Sequence, residues 1–137
     1  KADDFVFQYE DEQFDKVFLF SVFTHMMVNE IENYFKEIKR VLKPGGMCFT
    51  TLFYYNEENE NYIASMDNFN FSVAKDGYRL MSDKVKSANI AISELKLDAM
   101  ISASGLTKVT TVDGFWKDKV KDKGKVEYQD ILVLEKK

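Results

Sequence analysis

Five consecutive residues, Ser21, Val22, Phe23, Thr24 and His25, bring two hydroxyl groups and the chain's only imidazole together directly after a long apolar run. If that run is a strand of an open α/β sheet, they lie beyond its carboxyl end, where such sheets bind ligands. We therefore expect them to line a ligand site, although His25 could equally hydrogen bond the first turn of a following helix. A lone histidine outside any Cys/His cluster does not make a metal site, so no metal is expected. Ser-His-Asp catalysis is not supported, because no partner can be placed beside His25.

The elements that position these residues are a strand, a helix and a second strand. Phe14 to Phe23 is almost continuously apolar after Lys16, which is typical of a strand buried on both faces in a parallel sheet. Apolar residues then recur at steps of three and four, which predicts an amphipathic helix that Pro44-Gly45-Gly46 ends. Met47 to Phe53 is a second apolar strand, so the stretch forms a βαβ crossover. The helical stripe consists of Met27, Ile31, Tyr34, Phe35, Ile38, Val41 and Leu42.

Further signals predict a hairpin, a second helix and two more strands. Asp76-Gly77 lies within an alternating apolar and polar stretch, which favours a tight turn. Ser93 to Ser104 starts with a capping serine and is followed by Gly105, which predicts a helix with both ends capped. Thr107 to Val112 and Tyr128 to Leu134 are β-branched or apolar runs that predict the last two strands.

Two polar segments complete the chain. Residues 1–13 predict an extended lead-in that docks on the edge of the sheet through Phe5, Phe7 and Tyr9. Lys117 to Lys125 alternates lysine with aspartate, which is typical of a solvated hairpin connection rather than of a basic patch.

Composition bounds the class of protein. The 137 residues suit a single domain, and the 45% hydrophobic and 15% aromatic contents suffice for a core. A net charge of −4 gives no bulk attraction to nucleic acid. One cysteine, Cys48, excludes a disulfide framework within the chain and fits a reducing, cytoplasmic setting. No apolar run reaches the ~20 residues of a membrane span, so no membrane partner is expected.

Three stretches carry a family resemblance: FDKVFLFSVFTHM, the turn RVLKPGG, and the ending YQDILVLEKK. In this order they resemble class I S-adenosylmethionine (SAM) dependent methyltransferases, as the fourth strand, the turn before the fifth strand, and the last strand. The resemblance implies an α/β fold, the C-terminal half of a Rossmann-like class I methyltransferase fold. That half would contain about four strands, the last one antiparallel, and at least two helices.

The resemblance also implies roles for particular residues. Ser21 to His25 would line the SAM site. In the family a variable insertion after the fifth strand roofs the substrate pocket, and a glycine–tryptophan pair often follows later in the chain. Aromatic side chains at these places suit a small-molecule methyl acceptor, and they suit internal packing equally well. The candidate substrate residues are Tyr54, Tyr55, Tyr78, Arg79 and Trp116. No catalytic residue is assigned, because methyl transfer depends largely on positioning.

One expected motif is absent. The family holds SAM mainly at a glycine-rich turn in its first βα unit, but none of the six glycines here forms a GxG turn between a strand and a helix. We therefore expect the first three strands, with the main cofactor contacts, to be missing. The chain starts with Lys1 and would be a piece of a longer enzyme, inactive or nearly so alone.

The missing strands leave a second functional hypothesis open. Val17 to Phe20 would lack a neighbouring strand, and an open apolar edge favours a homo-oligomer or a covering segment. The alternative function is thus a non-enzymatic binding or assembly module that retains the methyltransferase half-fold. A fragment of another Rossmann-like enzyme is disfavoured by the LKPGG turn and by the antiparallel last strand.

Overall fold

The computed structural model describes residues 1–85, 88–121 and 124–137. Within these ranges the strands are β1 (Phe14–Leu19), β2 (Leu42–Leu52), β3 (Tyr54–Tyr55), β4 (Val73–Ala74), β5 (Tyr78–Leu80), β6 (Ile90–Ser93), β7 (Thr107–Val112) and β8 (Asp130–Glu135). The helices are α1 (Val28–Val41), α2 (Glu57–Ala64) and α3 (Glu94–Ser104), with 3-10 turns at Phe23–His25 and Phe115–Lys117.

The main sheet has the strand order β1-β2-β8-β7. β1 and β2 pair in parallel, whereas β8 runs antiparallel to both of its neighbours, β2 and β7. The predicted strand–helix–strand unit is present as β1, α1 and β2, and the predicted antiparallel last strand is β8. The expected fold class is therefore confirmed, with α3 as a second helix beside α1.

Strand β1 departs from its prediction in length and in burial. Expected over Phe14 to Phe23, it ends at Leu19, because Ser21 takes a left-handed φ of 57° and the chain enters a 3-10 turn. Expected to be buried on both faces, it exposes 58% of Phe18 and 63% of Phe20. Part of the apolar surface of this run is therefore left exposed by the residues that the structure describes.

Helix α1 buries its predicted stripe against the core. Ile31, Phe35 and Ile38 are fully buried, and α1 also contacts α3. The helix ends at Val41, ahead of the proline that was expected to end it, and residue 42 already begins β2. The glycine after the proline, Gly45, takes a φ of 82°, which a residue with a side chain rarely adopts.

A second sheet, here called the roof sheet, has the strand order β3-β6-β5-β4. The hairpin predicted at Asp76-Gly77 is confirmed, since these residues join β4 to β5 and Gly77 has a φ of 80°. The rest of this sheet was not predicted, because β3 has two residues and β6 has four, too few to show alternation. A separate cluster of buried side chains packs beneath it: Phe53, Tyr55, Ile63, Phe71, Ala91 and Trp116.

The lead-in packs mainly on α1, and it also meets the edge of the sheet as predicted, through the Tyr9 ring, which packs edge-to-face on Phe14 of β1 with centroids 4.9 Å apart. The N–H of Phe7 donates to the Glu37 carboxylate at 2.8 Å, and the Arg40 guanidinium donates to the carbonyls of Phe7 and Tyr9. Charged partners on the helix form stronger hydrogen bonds than neutral ones, which explains why most of the lead-in lies on α1. In the described part of the chain, β2 is therefore the only strand that pairs with β1.

Two further observations concern the polar segments and the helices. Lys117, the first residue of the predicted solvated connection, is buried, and residues 122 and 123 of that connection lie outside the described residues. None of the described helices is long and apolar enough to cross a lipid bilayer.

Candidate functional site

The carboxyl ends of three strands meet at one edge of the main sheet. β7 runs in the same direction as β1 and β2, because two antiparallel pairings relate it to β2 through β8. The first residue of β8 therefore lies at the same edge as the last residues of β1, β2 and β7. We call this the carboxyl edge, the place where open α/β sheets bind ligands.

Ser21 is fixed at the carboxyl edge by Thr51 of β2 and by Gln129, the residue before β8. Its N–H donates to Thr51 Oγ1 at 2.8 Å, and its Oγ accepts a hydrogen bond from Gln129 Nε2 at 2.9 Å. Thr24 Oγ1 in turn donates to the Ser21 carbonyl at 3.1 Å. These contacts hold a non-glycine residue at a left-handed φ, a conformation that persists only where the surroundings determine it.

A small cavity opens beside Ser21, with a volume of about 270 Å³, and we call it the edge cavity. Its walls come from the end of β1, from β2, and from the segment that leads into β8. The lining residues are Phe20, Ser21, Thr51, Glu127, Tyr128 and Gln129. Apart from Ser21, none of them was a predicted site residue. A polar residue near the end of one predicted strand, Thr51, and one near the start of another, Gln129, were the signal available in the sequence.

The predicted cofactor residues divide into accessible and buried ones. Ser21 and His25 are exposed and Val22 is half-buried. Phe23 and Thr24 are buried, and the Phe23 ring packs edge-to-face on Phe35 with centroids 5.4 Å apart. Of the five, Ser21 is the one that lines the edge cavity.

Asp130 is fully buried at the carboxyl edge and collects four donors. Its Oδ2 accepts the N–H of Tyr54 and the indole N–H of Trp116, each at 2.8 Å. Its Oδ1 accepts the N–H of Gly114 at 2.8 Å and lies 3.1 Å from Lys117 Nζ. Burial raises the pKa of Asp130, while the Lys117 charge and the N–H donors act to lower it. The backbone at Gly114 approaches Tyr128 so closely that a side chain there would collide with it.

Lys117 links this carboxylate to a second one. Its Nζ lies 3.0 Å from Asp113 Oδ1, donates to the Tyr54 carbonyl at 3.1 Å, and stands 3.6 Å from the centre of the Tyr54 ring. The side chain is 5% exposed, so the prediction of a solvated lysine is wrong. The two carboxylates and the carbonyl explain its burial, because a buried charge requires partners.

Tyr54 closes the network through its hydroxyl, which donates to Asp113. Burial, together with this hydrogen bond, raises the pKa of Tyr54. Burial also acts to raise the pKa of Asp113, but the hydrogen bonds from Tyr54 and Lys117 outweigh it and the pKa falls below its ordinary value. The network joins the ends of β2 and β7 to the start of β8 and to the roof sheet.

The five predicted substrate residues do not converge on the edge cavity. Trp116 is fully buried and donates to Asp130, and Tyr54 belongs to the same network. Tyr55 is buried in the cluster beneath the roof sheet. Tyr78 and Arg79 are half-buried on β5, where Arg79 Nε lies 3.5 Å from Glu60 Oε1. Among the described residues, no group of three or more His, Cys, Asp or Glu side chains is arranged to hold a metal ion.

Comparison with known proteins adds a family match and a shared fold. The model of the methyltransferase domain family matches residues 1–50, which contain β1, α1 and most of β2. A SAM-dependent methyltransferase from Methanosarcina mazei superposes with a TM-score of 0.60 at 15% identity, covering 99% of this chain and 64% of that chain. One from Mesorhizobium loti gives 0.64 at 11% identity, covering 99% of this chain and 67% of that chain.

A third structure holds two small molecules. It is the 1,6-didemethyltoxoflavin-N1-methyltransferase of Burkholderia thailandensis with bound 1,6-didemethyltoxoflavin and S-adenosylhomocysteine. The TM-score is 0.60 at 13% identity, covering 98% of this chain and 48% of that chain. The chain thus spans between 48% and 67% of the length of these three structures. The match over residues 1–50 and the common architecture confirm the resemblance to the class I SAM-dependent methyltransferases, whose fold this chain carries.

Proposed function

We propose that the chain serves SAM-dependent methyl transfer to a small-molecule acceptor, as the part of a methyltransferase domain that holds the carboxyl ends of its fourth and fifth strands. The observation that carries this proposal is the edge cavity beside Ser21, in a sheet that has the methyltransferase fold. The relative from Burkholderia thailandensis, which has a small molecule and S-adenosylhomocysteine bound, supports both the cofactor and the class of acceptor.

The residues present fit one side of the cofactor. Ligand sites for drug-sized molecules usually measure about 300–1,000 Å³, and the edge cavity of about 270 Å³ is smaller. None of the six glycines forms a GxG turn between a strand and an α-helix. Ser21, Val22 and His25 would line SAM on the side of β1, and we propose that its main contacts come from residues outside this chain. The chain would then be inactive, or nearly so, alone.

Bound SAM supplies a methyl group already activated by the sulfonium. The residues of this chain would position the acceptor and exclude water. Ser21 cannot move far, because Thr51 on β2 and Gln129, just before β8, both hydrogen bond it. Alignment of two reacting groups in this way is worth several kcal/mol of the barrier, which is why no general base has to be assigned.

Calorimetric titration of the chain with SAM tests this proposal. We expect a Kd of about 1 mM, or roughly −4 kcal/mol, because only one wall of the site is present. Thr51→Val removes the acceptor of the Ser21 N–H and should weaken binding at least threefold, whereas Thr110→Val, on the exposed surface of β7, should leave it unchanged. Micromolar binding, no heat at 10 mM SAM, or equal binding by Thr51→Val would overturn the proposal.

The open edge of β1 favours a second candidate, a non-enzymatic assembly module that acts as a homo-oligomer. Unpaired strand edges present rows of N–H and C=O groups to other chains. Phe18 of this strand and Phe20, just after it, are exposed, and Phe18 stacks on Phe49 with centroids 5.3 Å apart. The occupant we propose is β1 of a second copy. A cytoplasmic location fits either candidate, since the buried Cys48 is a free thiol.

Light scattering across a concentration series tests self-association. The wild-type chain should show dimers that dissociate on dilution, and Phe18→Lys should shift the population to monomer by placing a charge on the exposed strand. A monomer at every concentration would exclude the assembly module, while leaving the methyltransferase proposal untouched.

A further inference from the structure

We infer that the edge cavity is the acceptor subsite, and that it takes a flat one- or two-ring molecule whose ring bears an N–H or O–H group. This inference rests on the proposed function, because it names the substrate class of the same site. It depends on three features of the cavity: two aromatic walls, an amide that lacks one of its hydrogen bonds, and a carboxylate.

The aromatic walls stand on opposite sides of the cavity. Phe20 follows β1, Tyr128 precedes β8, and Thr51 on the intervening strand β2 lies between them. Phe20 is 63% exposed and Tyr128 is 40% exposed, so both rings have apolar surface available to a ligand. The Tyr128 ring is held against Phe115, with centroids 5.2 Å apart. Two exposed rings that line one cavity of about 270 Å³ favour a planar ligand, which stacks on them at little conformational cost.

The Gln129 amide gives the ligand its polarity. Nε2 donates to Ser21 Oγ, whereas the buried Oε1 has no hydrogen-bond partner in the described part of the chain. A buried acceptor left unpaired costs about 1–3 kcal/mol, so a ligand that supplies a donor recovers this energy. Because Oε1 is shielded from solvent, the amide has to turn toward the cavity to reach the donor. That movement would break the hydrogen bond from Gln129 to Ser21, and the contact of the Ser21 N–H with Thr51 would then hold Ser21.

Glu127 adds a second acceptor at the cavity. Glu127 is one of the residues that line the cavity, and it is exposed to solvent. A carboxylate and an amide oxygen together favour a ligand that donates, and they disfavour one that only accepts, such as a carboxylate or a phosphate. Methyl transfer would break the sulfonium–methyl bond of SAM and leave S-adenosylhomocysteine, while the ring nitrogen or oxygen gains the methyl group and its proton passes to the Glu127 carboxylate or to water. The same contacts therefore select the acceptor over its methylated product.

Indole and 1-methylindole are matched probes, because they differ only in the ring N–H. Titration of the 15N-labelled chain, without SAM, should give a Kd for indole in the millimolar range and a Kd for 1-methylindole at least threefold higher. The side-chain amide of Gln129 and the backbone of Ser21 should shift with indole. Equal affinities, or shifts confined to residues outside the cavity, would overturn the inference.

Variants separate a binding role from a structural one. Gln129→Leu should abolish the preference for indole, and Phe20→Ala should weaken both probes at least threefold. Gln8→Leu and Phe5→Ala, in the exposed lead-in, are the matched controls and should bind like wild type. If Gln129→Leu fails to fold, Gln129→Glu serves in its place, since it keeps the acceptor and should retain the preference. The inference would be contradicted if Gln129→Leu still preferred indole over 1-methylindole, or if Gln129→Glu no longer did. Because no cofactor is present, this result is independent of the SAM titration.

Discussion

Lys117 Nζ lies 3.1 Å from Asp130 Oδ1 in the interior of the protein, although the two residues come from different segments at the carboxyl edge. Their side chains are 5% and 0% exposed. The pair holds the 3-10 turn that contains Trp116 against the start of β8. Since Lys117 also donates to the Tyr54 carbonyl, it attaches the roof sheet to the main sheet.

Lys117→Met should destabilise the protein strongly. It leaves the Asp130 carboxylate buried without its ionic partner, a change that typically costs 3–5 kcal/mol. Urea unfolding followed by tryptophan fluorescence measures the loss. Lys119→Met, in the same segment but exposed, should stay within about 0.5 kcal/mol of wild type. A loss of less than ~1 kcal/mol for Lys117→Met would show that the pair contributes little.

Acid should weaken the attachment of the lead-in to α1. The Arg40 hydrogen bond, followed by the Phe7 N–H, holds the pKa of Glu37 below its ordinary value of 4.5, against the opposing effect of burial. A lowered folded-state pKa contributes stability that is present above pH 4.5 and is lost as the pH falls through the folded value. Glu37→Gln should therefore flatten the acid limb of a plot of stability against pH, and the exposed Glu32→Gln should not. Equal slopes for both variants would contradict this assignment.

The thiol of Cys48 should be unreactive in the folded protein. It is buried between the strands of the main sheet and the helices, and burial raises its pKa to about 12. At pH 8 almost no thiolate is present, so a disulfide reagent should label Cys48 only when the protein opens. The labelling rate should rise with urea in parallel with unfolding. Fast labelling in the absence of urea would mean that this part of the sheet is accessible.

Ser93 should stabilise α3 as its N-cap. Its Oγ accepts the N–H of Lys96 at 3.2 Å. Ser93→Ala should cost about 1 kcal/mol of the free energy of unfolding, and Ser93→Gly only a few tenths. Ser102→Ala, on the exposed side of the same helix, should be neutral or slightly stabilising because alanine favours helices. No difference between Ser93→Ala and Ser102→Ala would contradict the capping role.

Sequence patterns predicted the elements whose periodicity is long. β1, α1, β2, the capped helix α3, and β7 each show a run or stripe of several residues. The face of β1 that carries Phe18 was expected to be buried, because an apolar run shows that a strand can be buried but does not show what covers it. The tight turn at Asp76-Gly77 was predicted because glycine provides a φ that other residues rarely adopt.

The polar network could not be predicted by the same means. Lys117 and Asp113 stand in a strongly charged segment, and their partner Asp130 lies at the start of a distant strand. The antiparallel pairing of β7 with β8, together with backbone hydrogen bonds from Phe115 to Glu127 and from Trp116 to Tyr128, brings the two segments together. The edge cavity was missed for the same reason, since Ser21, Thr51 and Gln129 are contributed by three different strands or their ends.

The account depends most on the claim that ligands bind at the carboxyl edge of the main sheet. Chemical-shift mapping of the 15N-labelled chain with excess SAM tests this claim directly. We predict the largest shifts at residues 21–25, which would line SAM on the side of β1, and smaller ones at Thr51 and Gln129, which hydrogen bond Ser21. Shifts confined to the roof-sheet groove lined by Tyr55 and Ser93, or to the apolar cavity lined by Phe7 and Val17, would contradict the account.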